Sequence, residues 1–230
     1  MNFAVIGSGG REHAICYKLI QSKKINKLLC IPGNAGTKNI AENINLDISN
    51  FDEIYKVIQK NSIDIVIVGP EQPLVDGIVD FLMKKKVRVF GPDKFASQLE
   101  GSKAFMKDIC KKNNIPTAKF GIFENFEKAS DFLNKNKFPI VVKADGLAAG
   151  KGVSICNSIN EAEEKIKEIF DGKFKSSRKV VLEEFLEGEE LSYFSIVDEN
   201  NYKFFGSAQD HKKVGTGDTG PNTGGMGAYS

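Results

Sequence analysis

Residues 143–153 read Lys-Ala-Asp-Gly-Leu-Ala-Ala-Gly-Lys-Gly-Val, and this segment says more about the fold than any other. The apolar run 139–142 precedes it, and residues 153–155 have the composition of a strand. The pattern predicts two strands joined by a glycine-rich loop, with Lys143 and Lys151 at its ends. Glycines let backbone N–H groups approach phosphate oxygens, and lysines offset phosphate charge. We interpret the segment as a flap over a polyphosphate; a hairpin with solvated lysines is the alternative.

The segment does not fit the P-loop, the commonest phosphate-binding loop. A P-loop needs four residues between two glycines, then a lysine and a serine or threonine at the start of a helix. Only three residues separate Gly146 from Gly150, and Gly152 stands where the hydroxyl is needed. Residues 153–156 also favour a strand over a helix. The loop therefore indicates a nucleotide without specifying the enzyme class.

The composition is that of a globular protein in water. The chain has 230 residues, enough for one large or two ordinary domains, with 41% hydrophobic and 27% charged residues. A net charge of +2 gives no reason to expect nucleic acid, and no apolar run approaches the roughly 20 residues of a membrane span. The four cysteines lack Cys-x-x-Cys spacing and predict reduced thiols. We expect a cytoplasmic protein with small-molecule substrates and no nucleic-acid or membrane partner; no oligomeric state follows.

The first hundred residues alternate strands and helices. Strands are predicted at 3–6, 28–31, 63–68 and 87–90, and helices at 12–22, 51–59 and 74–86. The third strand is almost continuously apolar, as parallel strands covered on both faces tend to be. The alternation predicts an α/β fold with an open, doubly wound parallel sheet that ends near Gly101.

Beyond Ser102 the alternation is looser. Helices are predicted at 103–111, 126–133 and 159–170, and strands at 138–143, 153–156, 180–184 and 191–197. Residues 210–230 are rich in glycine, threonine and asparagine, which predicts loops and not a core. The sequence thus predicts two domains, 1–101 and 102–230.

The turn after the first predicted strand, residues 7–13, reads Gly-Ser-Gly-Gly-Arg-Glu-His. It fails the dinucleotide fingerprint, because Glu12 replaces the last glycine and no carboxylate follows the second strand. A helix N-terminus nevertheless offers N–H groups to an anion. Arg11 stands beside it, one of three arginines in a chain with 32 basic residues. The turn predicts a phosphate or phosphosugar site; simple turn chemistry is the alternative.

Two more predicted strands end in similar loops, 33–37 (Gly-Asn-Ala-Gly-Thr) and 69–71 (Gly-Pro-Glu). The carboxyl ends of parallel strands form the ligand crevice of an open sheet. Together the three loops predict a small polar ligand at this edge. The alternative is that glycine and proline are merely common in such loops.

Two segments of the second part carry further polar chemistry. In residues 183–190 a strand leads into a run of glutamates, which is either a solvated acidic edge or a hinge that meets an adenine base and its ribose. Residues 209–213 and 218–227 combine His211 with a loop rich in glycine, threonine and asparagine, suited to a carboxylate or a phosphate. His211 is either a general base or a structural residue.

The sequence resembles the phosphoribosylamine–glycine ligases, also called glycinamide ribonucleotide synthetases, of the ATP-grasp superfamily. The matching motifs occur in order along the whole chain, and the last two are the most specific. They are residues 7–14, 32–37, 68–71, 99–103, 143–153, 209–212 and 220–229.

The resemblance implies a two-domain ATP-grasp ligase of de novo purine biosynthesis. ATP would activate glycine as glycyl phosphate, and 5-phosphoribosylamine would then displace phosphate to give glycinamide ribonucleotide. Because no protein nucleophile is needed, positioning and charge neutralisation should dominate catalysis.

The resemblance also implies three groups of site residues. The ATP group is Lys103, Lys143, Gly150, Lys151, Gly152, Glu183, Glu184, Phe185, Leu186 and Glu190. The phosphosugar group is Gly9, Gly10, Arg11, Asn34, Gly36, Thr37, Gly69, Pro70 and Glu71. The reacting groups face Asp210, His211 and Lys212 as catalytic residues, with Asn222, Thr223, Gly224, Gly225 and Met226 as substrate-binding residues.

One departure from the family pattern affects activity. Family members continue for about as many residues again, so we expect an N-terminal fragment with an incomplete ATP-grasp domain. The ligands of the magnesium or manganese ion are expected beyond Ser230, so we expect this piece alone to be inactive. Three alternatives stay open: a nucleotide- or phosphosugar-binding module without turnover, a related ATP-grasp ligase, and, disfavoured by Glu12, a nicotinamide-dependent dehydrogenase.

Overall fold

A computed structural model describes residues 1–148, 152–174, 178–217 and 219–230, without the side chains of Pro221 and Asn222. The chain divides into two compact units, Met1–Ile115 and Pro116–Ser230. Throughout the described ranges, the helices are too short or too polar to cross a membrane.

The first unit is an α/β domain. Its strands are β1 (Asn2–Gly7), β2 (Lys27–Pro32), β3 (Glu42–Asn43), β4 (Ile65–Val68) and β5 (Arg88–Phe90). Its helices are α1 (Gly10–Ile20), α2 (Phe51–Lys60), α3 (Glu71–Asp76), α4 (Ile78–Lys84), α5 (Gln98–Gly101) and α6 (Lys103–Lys112), with a 3-10 turn at Thr37–Asn39.

The five strands form one parallel sheet in the order β3-β2-β1-β4-β5. Successive residues of β1 pack on opposite faces. Ile6 joins a core with Ile54 of α2 and Leu82 of α4, whereas Val5 joins a core with Cys16 of α1. Helices thus cover both faces, which confirms the predicted doubly wound sheet.

Several details of the first unit differ from the prediction, which lacked the short helix α5 (Gln98–Gly101) and the 3-10 turn at Thr37–Asn39. The helix predicted at 74–86 is two helices, because Gly77 adopts a left-handed conformation with φ +98°. Its N–H closes α3 by donating to the carbonyl oxygens of Pro73 and Leu74, a common helix ending at glycine. Strand β3 was not predicted, since two residues are too few for a periodic pattern.

The second unit is built on an antiparallel sheet in the order β6-β9-β7-β8. These strands are β6 (Phe120–Phe123), β7 (Ile140–Ala144), β8 (Val153–Cys156) and β9 (Val180–Glu184). Helices α7 (Phe126–Leu133) and α8 (Ile159–Phe170) pack on it as predicted, and Asn125 and Ser158 cap their first turns. The core includes Leu182, Val142 and Ile166.

Truncating Leu182 tests this core. The residue lies fully buried in β9, between Gly121 of β6 and Val142 of β7. We expect Leu182→Ala to lower the free energy of unfolding by about 3 kcal/mol, since it removes apolar contacts and leaves a cavity. Leu191→Ala is the matched control, because Leu191 is 59% exposed, and should change it by less than about 0.5 kcal/mol. Equal effects in urea unfolding would contradict the assignment.

The rest of the second unit is strand-rich. It contains β10 (Ser192–Val197), β11 (Tyr202–Asp210), β12 (Lys213–Gly215), β13 (Thr219–Asn222) and β14 (Ala228–Tyr229). Strands β10, β11 and β14 form one sheet, and β12 pairs with β13. The prediction of loops at 210–230 is therefore wrong in part, and β6 and β11 were not predicted. Strands this exposed lack the alternating burial that makes a strand recognisable from sequence.

Candidate functional site

The loops that follow β1, β2 and β4 meet at the carboxyl edge of the parallel sheet. Asn34 connects two of them, because its side-chain Nδ2 donates to Ser8 O at 2.8 Å and to Gly9 O at 3.3 Å. Asn34 also stabilises the loop after β2 through two hydrogen bonds with Thr37. Its N–H donates to Thr37 Oγ1 at 2.7 Å, and its Oδ1 accepts from Thr37 N at 2.9 Å.

Asn43, which was not predicted as a site residue, completes this arrangement from β3. Its Oδ1 accepts from Thr37 Oγ1 and its Nδ2 donates to Asn34 O, both at 2.8 Å. Thr37 is fully buried, so these bonds satisfy a hydroxyl that would be costly to bury alone. The predicted residues Asn34, Gly36 and Thr37 thus form one rigid loop, and Gly36 packs against the imidazole of His13.

Arg11 and Glu71 join the other two loops. Arg11 Nη1 donates to Glu71 Oε1 at 2.8 Å, and both side chains are substantially exposed, at 64% and 40%. The bond lowers the pKa of Glu71 and raises that of Arg11. Pro70, the residue before Glu71, is the N-cap residue of α3. In the loop after β1, a side chain at Gly10 would meet open space. The structure therefore brings together Arg11 and the 69–71 loop.

The Arg11–Glu71 pair has a pH signature. The pKa of Glu71 is lowered from 4.5, chiefly by the hydrogen bond from Arg11. A carboxyl group with a lowered pKa contributes stability above its unfolded pKa, and loses it as the pH falls through the folded value. We expect the NMR titration midpoint of Glu71 to lie below 4.5 and to rise in Arg11→Gln. An unchanged midpoint would show that the pair does not form in solution.

Glu12 was predicted only as a residue that breaks a fingerprint, yet it lies at the centre of these loops. Its side chain is buried and its Oε2 accepts from Gly9 N at 2.5 Å. Gly9 and Gly69, both predicted to bind substrate, face this carboxylate. The close packing of glycine against glutamate was not readable from the sequence, because it joins loops about sixty residues apart.

In the second unit, Lys143 and Glu183 form a buried ion pair. Lys143 Nζ lies 2.9 Å from Glu183 Oε2, with side-chain exposures of 24% and 5%. Strands β7 and β9 place Val141 opposite Glu183 and Lys143 opposite Val181, so the two charged residues are diagonal neighbours on one face. The structure thus brings together two of the predicted ATP-binding residues.

The segment after β9 has the exposure expected of a binding edge. Phe185 is 38% and Leu186 63% exposed. Glu184 is already engaged, because its N–H donates to Lys119 O and its Oε1 accepts from Lys119 N, each at 2.9 Å. Of the predicted hinge, the exposed part is therefore residues 185–186, and the amide of Glu184 belongs to the sheet.

Glu190, which was predicted to bind ATP, contacts Lys212, which was predicted to be catalytic. Lys212 Nζ contacts Glu190 Oε1 directly and lies 4.0 Å from Asp210 Oδ1. Gln209 Nε2 donates to Glu190 O at 3.1 Å, and Gln209 Oε1 accepts from Tyr229 OH at 2.5 Å. Gln209 and Tyr229 lie in motifs of the sequence but were not predicted as site residues; their pairing across β11 and β14 needed the fold.

The loop 223–227 folds back onto residues 211–212. Thr223 N and Oγ1 donate to Lys212 O at 2.7 and 3.0 Å, and Met226 N donates to His211 O at 2.8 Å. Gly225 N donates to Thr223 Oγ1 at 3.0 Å, while Gly224 has open space around it. The predicted catalytic and substrate-binding residues of this region therefore form one connected turn, with the backbone of Asn222 paired to Lys213.

Four more residues were predicted to bind ATP: Lys103, Gly150, Lys151 and Gly152. Gly150 and Lys151 lie outside the described residues. Lys103 begins α6 in the first unit. Gly152 is buried at the start of β8, where its carbonyl accepts from Ala144 N at 2.8 Å, and a Cβ there would lie 2.6 Å from that of Ala148.

The described side chains do not form a metal site. Within the described ranges, no group of three or more histidine, cysteine, aspartate or glutamate side chains is placed to hold a metal ion.

Solved structures share the fold of this protein. Over 92% of its length the chain matches the biotin carboxylase domain of Hydrogenobacter thermophilus 2-oxoglutarate carboxylase with a TM-score of 0.74; at 18% identity, this shows the fold alone. The chain covers 51% of that domain, which was solved with Mg-ADP and bicarbonate. The two chains thus share a parallel sheet followed by antiparallel sheets. The class, that of an ATP-grasp protein, follows from a family model, because an ATP-grasp (A) domain matches residues 101–230.

Family models make the assignment specific. The model of the phosphoribosylglycinamide synthetase N domain matches residues 1–100, and that of its ATP-grasp (A) domain matches residues 101–230. The chain belongs to the phosphoribosylglycinamide synthetase family. This confirms the family that the sequence motifs indicated.

Two relatives give the extent of the match. The phosphoribosylamine–glycine ligase of Clostridium acetobutylicum is 50% identical over 237 residues, which cover 100% of this chain and 56% of that protein. The structure of the phosphoribosylamine–glycine ligase from Thermotoga maritima matches with a TM-score of 0.85 and 36% identity, over 99% of this chain and 55% of that one. The chain thus spans about half the length of the relatives that it matches.

Proposed function

We propose that this chain takes part in the ATP-dependent ligation of glycine to 5-phosphoribosylamine, a step of purine biosynthesis in the cytoplasm. Its relatives are named for this ligation. The observation that carries the proposal is the contact between Lys212 and Glu190. It places a residue proposed to meet the ATP ribose beside one proposed to face the reacting groups.

The proposed reaction has two steps. An oxygen of the glycine carboxylate attacks the γ-phosphorus of ATP, the bond to the bridging oxygen breaks, and ADP leaves. The amine nitrogen of 5-phosphoribosylamine then attacks the acyl carbon, loses a proton, and releases phosphate. Because negative charge gathers on the transferred phosphoryl group, fixed cations should supply much of the rate enhancement.

We assign Lys143 to the ATP phosphates, because Glu183 holds its ammonium group in place within a buried pair. Residues 185–186 are proposed to meet adenine, since they are exposed directly after β9. Lys103, Gly150, Lys151 and Gly152 are also proposed to bind ATP. A divalent metal would neutralise further phosphate charge when bound; a fold relative was solved with Mg-ADP.

The phosphosugar is proposed to bind the first unit, in the crevice formed by the loops after β1, β2 and β4. The rigid Asn34–Thr37 loop and the exposed Arg11–Glu71 pair support this, because they offer donors and acceptors together at a sheet edge.

We further propose that the functional domain boundary lies near Gly101. Asp210, His211 and Lys212, with the 222–226 loop, are assigned to glycine and the transferred phosphoryl group.

A chimera tests the proposed function. Residues 1–230 are fused to the part of the Clostridium acetobutylicum relative that this chain does not span, and phosphate release is followed. We expect release that requires ATP, glycine and 5-phosphoribosylamine together. If a folded chimera binds ADP without any such release, the chain is a binding module and the proposed ligation is wrong.

A further inference from the structure

Glu12 is a buried carboxylate with an incomplete set of partners. It lies in the first turn of α1 and is 3% exposed. One oxygen, Oε2, accepts from Gly9 N at 2.5 Å. The other, Oε1, is buried and has no hydrogen-bond partner among the described residues. Burying a carboxylate oxygen in this way costs free energy, so capping α1 is not a sufficient reason for it.

Three glycines make the space that this side chain occupies. A Cβ at Gly7 would lie 2.6 Å from the Glu12 side chain, one at Gly9 would lie 3.0 Å from Oε2, and one at Gly69 would overlap Oε1. The backbone φ of Gly69 lies outside the left-handed range. Glycine is therefore required at position 69 by the Glu12 carboxylate and not by the backbone conformation.

The carboxylate thus lies between the loop after β1 and the loop after β4. Each loop carries one member of the exposed Arg11–Glu71 pair: Arg11 directly precedes Glu12, and Glu71 lies two residues after Gly69. Any change in the spacing of the two loops moves these two side chains relative to each other.

We propose that Glu12 is a positioning residue that sets the spacing of the β1 and β4 loops, and through it the geometry in which Arg11 and Glu71 meet the phosphosugar. This inference rests on the proposed function. Glu12 sets the spacing through its hydrogen bond to Gly9 N and through the fit of its carboxylate against Gly69. An uncharged side chain at position 12 with the same shape and a hydrogen-bond acceptor should keep most of this positioning effect.

The test is the affinity of this chain for ribose 5-phosphate, measured by calorimetry at a temperature where every variant is folded. Glu12→Ala should bind about tenfold more weakly, because a small misplacement of binding groups is expensive. Glu12→Gln, which keeps an acceptor for Gly9 N, should stay within about threefold of the parent chain. Gly69→Ala, which disturbs the same contact from the other loop, should behave like Glu12→Ala.

Asn50→Ala is the matched control for a purely structural role. Asn50 caps α2 in the same unit, with its side chain accepting from Glu53 N. Its loss should lower the melting temperature by a few degrees, as for other lost caps, yet leave ribose 5-phosphate affinity unchanged.

The possible failures are distinct. If Glu12→Ala binds ribose 5-phosphate as the parent chain does, or if Asn50→Ala weakens binding equally, the positioning role is overturned. If the parent chain binds ADP but no ribose 5-phosphate, the proposed phosphosugar site is wrong and the positioning role is overturned with it. Only this last result, binding of ADP without binding of ribose 5-phosphate, contradicts the proposed function.

Discussion

Replacing Lys143 by methionine should weaken ADP binding about 100-fold and lower the free energy of unfolding by about 3 kcal/mol. The binding loss follows if the ammonium group contacts the ATP phosphates, as proposed. The stability loss follows from burial, because the side chain of Glu183 is only 5% exposed and would lose the ammonium group that lies 2.9 Å from its Oε2. Calorimetry with ADP and urea unfolding measure the two effects separately.

A double variant separates nucleotide binding from folding. In Lys143→Met/Glu183→Gln neither side chain is charged and the glutamine keeps a hydrogen-bonding oxygen, so part of the lost stability should return. ADP affinity should stay low, since the cation is still missing. If the double variant regains ADP binding, Lys143 acts only through the fold, and its assignment to the phosphates is wrong.

Replacing Lys212 by methionine in the chimera should lower kcat by roughly 100-fold to 1000-fold, the usual effect of removing a group that stabilises developing charge. Stability should hardly change, because Lys212 is 41% exposed and its partner Glu190 is 69% exposed. Exposed ion pairs contribute about 0–1 kcal/mol. The measurement is steady-state phosphate release together with thermal unfolding.

Lys213→Met is the matched control for Lys212, because it removes the same charge one residue further along the chain. Lys213 lies in β12, where its backbone pairs with that of Asn222. We expect turnover close to that of the parent chimera. Equal losses in both variants would indicate a general electrostatic effect and contradict a specific role for Lys212.

Much of the fold was predictable, because its elements have strong local patterns. Helices α7 and α8 and strands β8 and β9 were predicted with the bounds that the structure shows. Their apolar residues recur at the period of the element, and each helix begins at a capping residue. The elements that were missed are short or exposed, such as β3 and β11, and their pairing depends on distant parts of the chain.

The candidate site was predictable where its residues are neighbours in sequence or lie in recognisable motifs. The loop 222–226 and residues 210–212 were singled out in this way, and the structure joins them by backbone bonds. Glu12 packs against glycines of two loops, and Asn43 joins β3 to the loop after β2. Neither residue has a local pattern. The pair of Lys143 with Glu183 depends on the register of β7 and β9, which the sequence does not specify.

The most direct test of the proposed chemistry follows one oxygen atom. The chimera is supplied with ATP, 5-phosphoribosylamine and glycine whose carboxylate carries a heavy oxygen isotope, and the released phosphate is analysed by mass spectrometry. Attack of the carboxylate on the γ-phosphorus transfers one labelled oxygen to each phosphate that is released. We therefore expect labelled phosphate in proportion to turnover. Turnover that yields only unlabelled phosphate would show that no glycyl phosphate forms, and would contradict the proposed reaction.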